Sequence, residues 1–397
     1  MNPKNRNRGL KSLLEVLFVS TRLGLTSFGG PIAHLGYFHE EYVRRRKWID
    51  EKSYADLVAL CQFLPGPASS QVGIGIGVMR AGVLGGITSF IGFTLPSVIA
   101  LILFALILKG FNVGEAGWIH GLKIVAVAVV AHAILGMAQK LAPDLKRKAI
   151  ALFALVATLL WQTAYIQVGV ILLAAFMGYL IYKQNKENED SRIQFPLTHR
   201  FGVLCLTLFF GLLILLPILR GVTSWNWMAL FDSFYRSGSL VFGGGHVVLP
   251  LLEREFVPTG WLSKEAFLAG YGAAQAVPGP LFTFAAYLGT VMNGWQGGLL
   301  ATFAIFLPAF LLILGTLPFW DSLRRNPKIK GALMGVNAAV VGILIAAFYE
   351  PIWTSSILAP IDFAFAAILF SMLVHWKLPP WVIVITGAIG GSLITLF

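Results

Sequence analysis

The chain carries the same ordered set of helix-breaking motifs twice. Residues 22–31 read RLGLTSFGGP and residues 236–245 read RSGSLVFGGG. Trp48 then pairs with Trp261, and Gln62-Phe-Leu-Pro65-Gly66-Pro67 with Gln275-Ala-Val-Pro278-Gly279-Pro280. Gly82, Gly85, Gly86 and Pro96 match Gly294, Gly297, Gly298 and Pro308, and the offset drifts only from 214 to 212 along the path. Order and spacing are both kept, which makes this an internal duplication. It divides the chain into a tail (1–11), a first repeat (12–183), a linker with one extra apolar run (184–223, the run at 202–219) and a second repeat (224–397).

The loops of the two repeats have opposite charge. Arg44, Arg45, Arg46 and Lys47 before Trp48 correspond to the uncharged VPTG before Trp261, and Arg80 to Met292. The stretch 140–148 holds four basic residues against one acid, while its counterpart 349–356 has only Glu350; in 109–118 and 321–330 the bias is reversed. Under the positive-inside rule the repeats then cross a membrane in opposite senses, an arrangement many secondary transporters use, with 202–219 as the odd crossing. Composition requires the membrane: 57% of residues are hydrophobic and 12% charged, against roughly 25% charged in soluble domains. The expected fold is an all-α polytopic integral membrane protein, two homologous halves in inverted topology with broken, re-entrant helix hairpins.

Several function classes drop out. The two cysteines, Cys61 and Cys205, lie in apolar stretches and build no metal or redox framework. The net charge of +12 resides in short inter-span loops, so nucleic acid is not an expected partner; the lipid bilayer is. The basic tail precedes a run containing Glu15 and Arg22 with no small-residue cleavage site, and reads as a retained cytoplasmic N-terminus. HEEYV at 39–43 lacks the second histidine of a zinc helix, no Walker sequence is present, and Gly73, Gly75 and Gly77 follow no βαβ pattern and read as close helix packing. No enzyme activity, metal or cofactor is expected. A homo-oligomer stays open, because lipid-facing and partner-facing apolar surfaces look alike in sequence.

Full spans need about 20 apolar residues. Segments 83–108, 118–139, 297–319 and 331–350 qualify, and hairpins of spans are expected within 147–183 and 355–397. Segments 13–28, 52–64 and 67–80 are short and interrupted by Gly or Pro. Arg46 and Arg80 both fall in basic loops, so these pairs are expected to enter and return on one side. Non-helical backbone at membrane depth survives only where it is buried in protein or lines a wet cavity, so the breaks locate the candidate site.

Phe28-Gly29-Gly30 and Phe242-Gly243-Gly244 let backbone N–H groups approach an anion closely. Pro65-Gly66-Pro67 and Pro278-Gly279-Pro280 end one half-helix and start another, freeing donors at Ser69, Ser70, Gln71 and Thr283. Converging helix starts bind small oxyanions; the alternative is that Gly and Pro simply permit tight packing. Gln62 and Gln275 precede each PGP and either donate to the anion or cap the helix end. Arg22 and Arg236, equivalent in the repeat, either flank an anion path or pair with Glu15 and Asp232. His34 and His246 lie just past the FGG breaks at non-equivalent positions, as proton relays or structural donors.

FGGPIAHLGYFHEEYV, QFLPGPASSQVGIGIG, FGGGHVVLPLLEREFV and QAVPGPLFTFAAYLG together closely resemble the chromate ion transporter family in its long two-domain form, over nearly the whole chain. The resemblance implies a bacterial inner-membrane exporter of chromate, with sulfate as a structural mimic, whose FGG and PGP segments matter most. This sequence departs from symmetry at Gly245, where the first repeat has Pro31, and at Val248, where it has His34.

Overall fold

The computed structural model describes residues 9–28, 30–108, 117–161, 164–182, 197–223, 225–242, 247–320 and 327–394. All regular structure among them is helical. The first repeat contains α1 (Leu10–Thr26), α2 (Gly30–Phe38, continuing as a π-helical run to Arg45), α3 (Glu51–Phe63), α4 (Ala68–Leu108), α5 (Gly117–Leu141), α6 (Leu145–Leu160) and α7 (Ala164–Ile181). The linker helix α8 (His199–Val222) follows. The second repeat contains α9 (Asn226–Ser239), α10 (Val248–Phe256), α11 (Lys264–Ala274), α12 (Phe284–Thr316), α13 (Pro327–Ala347), α14 (Pro360–Val374) and α15 (Pro380–Ile394).

Five helical stretches are long and apolar enough to cross a bilayer: Ala68–Leu108, Gly117–Leu141, His199–Val222, Leu281–Phe319 and Lys330–Ser356. Their outward faces are apolar. Leu95, Ile99 and Leu103 of α4 and Leu204, Ile214 and Ile218 of α8 are all exposed, a surface suited to the interior of a bilayer. The molecule is an all-α polytopic membrane protein. The hairpins at 147–183 and 355–397 correct the sequence expectation of full-length spans. The helices α6, α7, α14 and α15 have 16, 18, 15 and 15 residues, or roughly 22–27 Å at 1.5 Å per residue, short of the ~30 Å hydrocarbon core.

The long helices α4 and α12 are each broken at the same place. Ala81 and Gly82 have φ/ψ of −139°/23° and 70°/−162°; Asn293 and Gly294, their repeat equivalents, have −136°/27° and 68°/−172°. The second residue of each pair needs the left-handed region, which glycine enters freely. Beyond the break the chain doubles back: a Cβ on Gly77 would collide with the Gly85 carbonyl, and one on Gly289 with the Gly297 carbonyl. The GIGIG run is therefore packing. Gly77 meets the returning strand of helix, and a Cβ on Gly75 would sit 2.9 Å from Leu57 Cδ1. Since nothing lies within 4 Å of a Cβ at Gly82, Gly82→Ala should cost only backbone strain, about 1–3 kcal/mol. Gly77→Ala, forced against backbone, should lower the thermal midpoint of the purified protein considerably further; equal midpoints would contradict the hairpin.

The α1 helix runs alongside the long arm of α4, with Ser20 Oγ 3.1 Å from Ser89 Oγ and Gly24 against the Phe93 carbonyl. Gly238 of α9 makes the equivalent approach to the Ile305 carbonyl of α12. After α1 ends, α2 leads back until Arg46 pairs with Glu15 at 3.1 Å, and Arg80 pairs with the same carboxylate at 2.9 Å. Residues 15, 46 and 80 thus share one end of the molecule. The long arms of α4 and α12 cross antiparallel: Phe90 packs on Phe306 and Phe310, ring centroids 5.0 Å apart in both cases, while Ile102 lies beside Gly298.

The repeats also exchange helices. The α5 helix packs on α15 of the other repeat, where Gly121 leaves no space for a Cβ against the Gly387 carbonyl and the Gly391 backbone; His120 Nε2 is 2.8 Å from Asp362 of α14. Symmetrically, α13 packs on α6 and α7. Gly335 abuts the Ala174 carbonyl and Gly178, and Gly342 abuts the Ala151 carbonyl. Small residues let these backbones touch, the usual basis of helix association in lipid.

Candidate functional site

Where α4 and α12 cross, each PGP segment docks on the residue that precedes the opposite repeat's FGG. Gly66 N–H of the first PGP donates to the Val241 carbonyl before the second FGG at 2.6 Å, and Gly279 N–H of the second PGP donates to the Ser27 carbonyl before the first FGG at 2.9 Å. Gly66 and Gly279 have φ of +112° and +104°. A Cβ on Gly66 would lie 3.2 Å from Ala309 Cβ, and one on Gly279 would strike Ser97 Oγ; Ala309 and Ser97 are equivalent positions. Ser97 Oγ also donates to the Pro278 carbonyl at 2.7 Å.

Helix starts converge on this seam. The α2 helix begins at Gly30, around which a Cβ would find open space. The α4 helix begins beside Pro67, with Ser69, Ser70 and Gln71 in its first turn, all buried. A 3-10 turn, Leu281–Thr283, leads into α12, and Thr283 Oγ1 donates to the Pro280 carbonyl at 2.8 Å. His34 is buried in α2, shares a hydrogen bond with Ser69 Oγ (Nδ1 to Oγ 3.3 Å), stands edge-on to Phe93 at 5.5 Å and approaches the Ser27 backbone. Gln71 Nε2 donates to the Pro65 carbonyl at 2.9 Å.

The polar atoms left over are the chemically informative ones. Ser27 Oγ, His34 Nε2, Ser70 Oγ, Gln71 Oε1, Thr94 Oγ1 and Gln275 Nε2 are buried without a hydrogen-bond partner, and all six lie on the segments that form the seam. A buried polar group in that state costs about 1–3 kcal/mol; the three hydroxyls and Gln275 Nε2 can each offer a proton to an acceptor, and His34 Nε2 does so in its Nε2–H tautomer.

The structure distributes the sequence candidates unevenly. Gly66, Ser69, Pro278, Gly279 and His34 take part in the contacts just described, Pro65, Pro67, Ser70, Gln275, Pro280 and Thr283 lie on the same segments, and Phe28 and Phe242 are half-buried. Gln62 is exposed on the last turn of α3. Gly29, Gly243, Gly244 and His246 lie outside the described residues. Arg22 and Arg236 sit in ion pairs away from the seam: Arg236 with Asp232 at 3.0 Å and Glu255 at 2.9 Å, Arg22 with Glu41 at 3.9 Å rather than with Glu15. Glu41 and Glu255 are themselves repeat equivalents. Ser27, Thr94 and Ser97 were missed by sequence reasoning; the last two stand out only as polar residues inside the 83–108 apolar run.

Comparison with known proteins gives a consistent answer. The chromate transporter family model matches twice, over residues 14–179 and 228–392. A probable chromate transport protein of Synechococcus elongatus is 29% identical, covering 85% of this chain and 84% of its own. The chromate transport protein of Pseudomonas aeruginosa is 27% identical, covering 81% and 77%. An uncharacterized transporter of Methanocaldococcus jannaschii is 26% identical, covering 97% and 90%. No solved structure matches the chain. Matched by the family model in both repeats, over most of its length, the chain belongs to the chromate transporter family.

Proposed function

We propose that the protein is a secondary transporter that exports chromate, a tetrahedral dianion, from the cytoplasm across a bacterial inner membrane. The observation that carries the reading is the set of unpartnered buried polar atoms at the seam. An oxyanion seated there would accept from Ser27, Ser70, Thr94 and Gln275, from His34 in its Nε2–H tautomer, and from the free N–H groups at the starts of α2 and α4. Antiparallel contact between the equivalent arms of α4 and α12, together with the opposite loop charges, supports an inverted pair of repeats with a cytoplasmic N-terminus. Return of Arg46 and Arg80 to Glu15 supports re-entrant hairpins.

Export needs no nucleotide. One charge moved through 100 mV is worth about 2.3 kcal/mol, so an inside-negative potential of that size favours exit of a dianion by ~4.6 kcal/mol. Uptake of the same dianion would need about three accompanying protons to be electrically favourable. Alternating access of one half against the other exposes the seam to each side in turn. Exchange of α5 and α13 means that these helices travel with the opposite repeat's hairpin in that motion.

Inside-out vesicles containing the protein should accumulate labelled chromate when an interior-positive potential is imposed, with sulfate competing. Accumulation of sulfate but not chromate would keep the site and replace the substrate. Flux that only equilibrates would identify a channel instead. A sharper test uses the unpartnered atoms. Gln275→Leu and Ser70→Ala should leave the thermal midpoint unchanged or raise it, because a buried polar atom without a partner is removed. The same variants should raise the chromate KM about tenfold or more. Unaltered KM in both would show that these atoms do not touch the substrate.

A further inference from the structure

A second polar feature lies at the end of the molecule where residues 15, 46 and 80 meet. It is an open cavity of about 540 Å³. Five cations line it: Arg22, Arg45, Arg46, Lys47 and Arg80. Two carboxylates, Glu15 and Glu41, offset part of that charge, leaving a balance of +3. The carboxylates bind the inner arginines (Arg46 Nε to Glu41 2.7 Å, Arg80 to Glu15 2.9 Å), and both guanidiniums stack over Trp48 at 5.5 and 5.3 Å. This framework holds positive charge in fixed positions. Arg45 and Lys47 are exposed at the rim. Arg22, half exposed and only loosely paired, is on α1 five residues before Ser27, roughly 7.5 Å along the helix axis from the seam.

The equivalent place in the second repeat is different. There Arg220 and Arg236 face Asp232 and Glu255, two cations against two carboxylates. The halves therefore share the Arg–Glu pair but not the excess charge.

We infer that the cationic cavity is an oxyanion-collecting vestibule, a binding site distinct from the seam, which gathers dianions on the basic face and delivers them past Arg22. The inference rests on the transport reading for its direction and on the cavity for its chemistry. A walled cluster of like charge raises the local concentration of counter-ions and their arrival rate, an effect that salt weakens. A phosphate from a lipid headgroup offers the same chemistry, and the test separates the two.

The test uses the full chain in vesicles of purely zwitterionic lipid and in vesicles with anionic lipid added. Arg45→Gln with Lys47→Gln removes two rim charges; it gives up the outer Arg45–Glu41 contact at 3.4 Å but leaves the Arg46–Glu41, Arg46–Glu15 and Arg80–Glu15 pairs. Arg44→Gln with Lys146→Gln removes the same charge outside the cavity. In zwitterionic vesicles the rim variant should raise the KM for chromate presented at the basic face about threefold or more, keep the maximal rate, and lose most of its salt dependence; chromate presented at the opposite face should show no change. An unchanged KM, or an equal shift in the control, would overturn the vestibule. A difference seen only with anionic lipid would assign the cavity to headgroups and also overturn it. Equilibrium binding of labelled sulfate to the purified chain, in zwitterionic nanodiscs, reads the cavity without transport. If the unmodified chain moves no chromate, the transport reading fails, and a salt-sensitive class of sulfate sites lost in the rim variant still supports the cavity; its absence sinks it.

Discussion

Gly279→Ala is expected to reduce chromate accumulation in inside-out vesicles by at least tenfold while leaving the amount of folded protein in the membrane close to normal. Two physical effects combine. At φ of +104° an alanine carries roughly 1–2 kcal/mol of backbone strain, and its Cβ falls on Ser97 Oγ. Relief of either displaces the Gly279 N–H from the Ser27 carbonyl and opens the seam that holds the unpartnered polar atoms. The repeat supplies its own rescue. Opposite Gly66 the equivalent of Ser97 is Ala309, and a Cβ on Gly66 would sit 3.2 Å from Ala309 Cβ, a tight but bearable contact. Adding Ser97→Ala to Gly279→Ala should therefore restore part of the transport, even though Ser97→Ala alone gives up the hydrogen bond to the Pro278 carbonyl. Full activity of the single variant would remove the seam from the transport path.

Gly335→Leu and Gly121→Leu should act on folding rather than on transport. Each forces a side chain into a neighbouring backbone carbonyl, of Ala174 and Gly387 respectively, and backbone has no rotamer into which to retreat. Overpacking usually costs 1–3 kcal/mol and more when nothing can give way, so little monodisperse protein should survive gel filtration in detergent. Gly136 lies on the same helix as Gly121 with nothing within 4 Å of its Cβ position, and Gly136→Leu should elute like the unsubstituted chain. If all three variants behave alike, the exchange of helices between repeats is not what holds the molecule together.

Much of this was legible in the sequence, and the reasons are specific. Gly82 and Gly294 announced a break because their repeat positions coincide, and the structure gives them nearly the same dihedrals. Arg46 and Arg80 announced a shared end because both sit in basic loops, and Glu15 joins them. What could not be read was which surface meets which. Gly121, Gly178 and Gly335 say that a backbone comes close, yet a glycine carries no mark of the helix it meets, so the exchange of α5 and α13 was invisible. Gln62 and Gln275 differ in exposure for a related reason. Gln62 precedes PGP as Gln275 does, but α3 ends at Phe63 as a regular helix, where one residue shifts direction by about 100°, and its side chain points outward. Of the two readings of Arg22, an anion path or a pair with Glu15, the second named the wrong carboxylate: the structure pairs Arg22 with Glu41, the position that recurs as Glu255.

The reciprocal packing of α5 and α13 also has a temporal side. Gly387, which Gly121 touches, is 266 residues further along the chain. At synthesis rates of about 5–20 residues per second, α5 resides in the membrane for roughly 13–53 s before its partner is made. During that interval its glycine face meets lipid, and the α6–α7 hairpin likewise waits for α13. The first repeat emerges as an unfinished object whose completion depends on the second, so assembly follows the order of translation, and a nascent chain halted between the repeats presents to quality-control proteases the surfaces that the mature molecule hides.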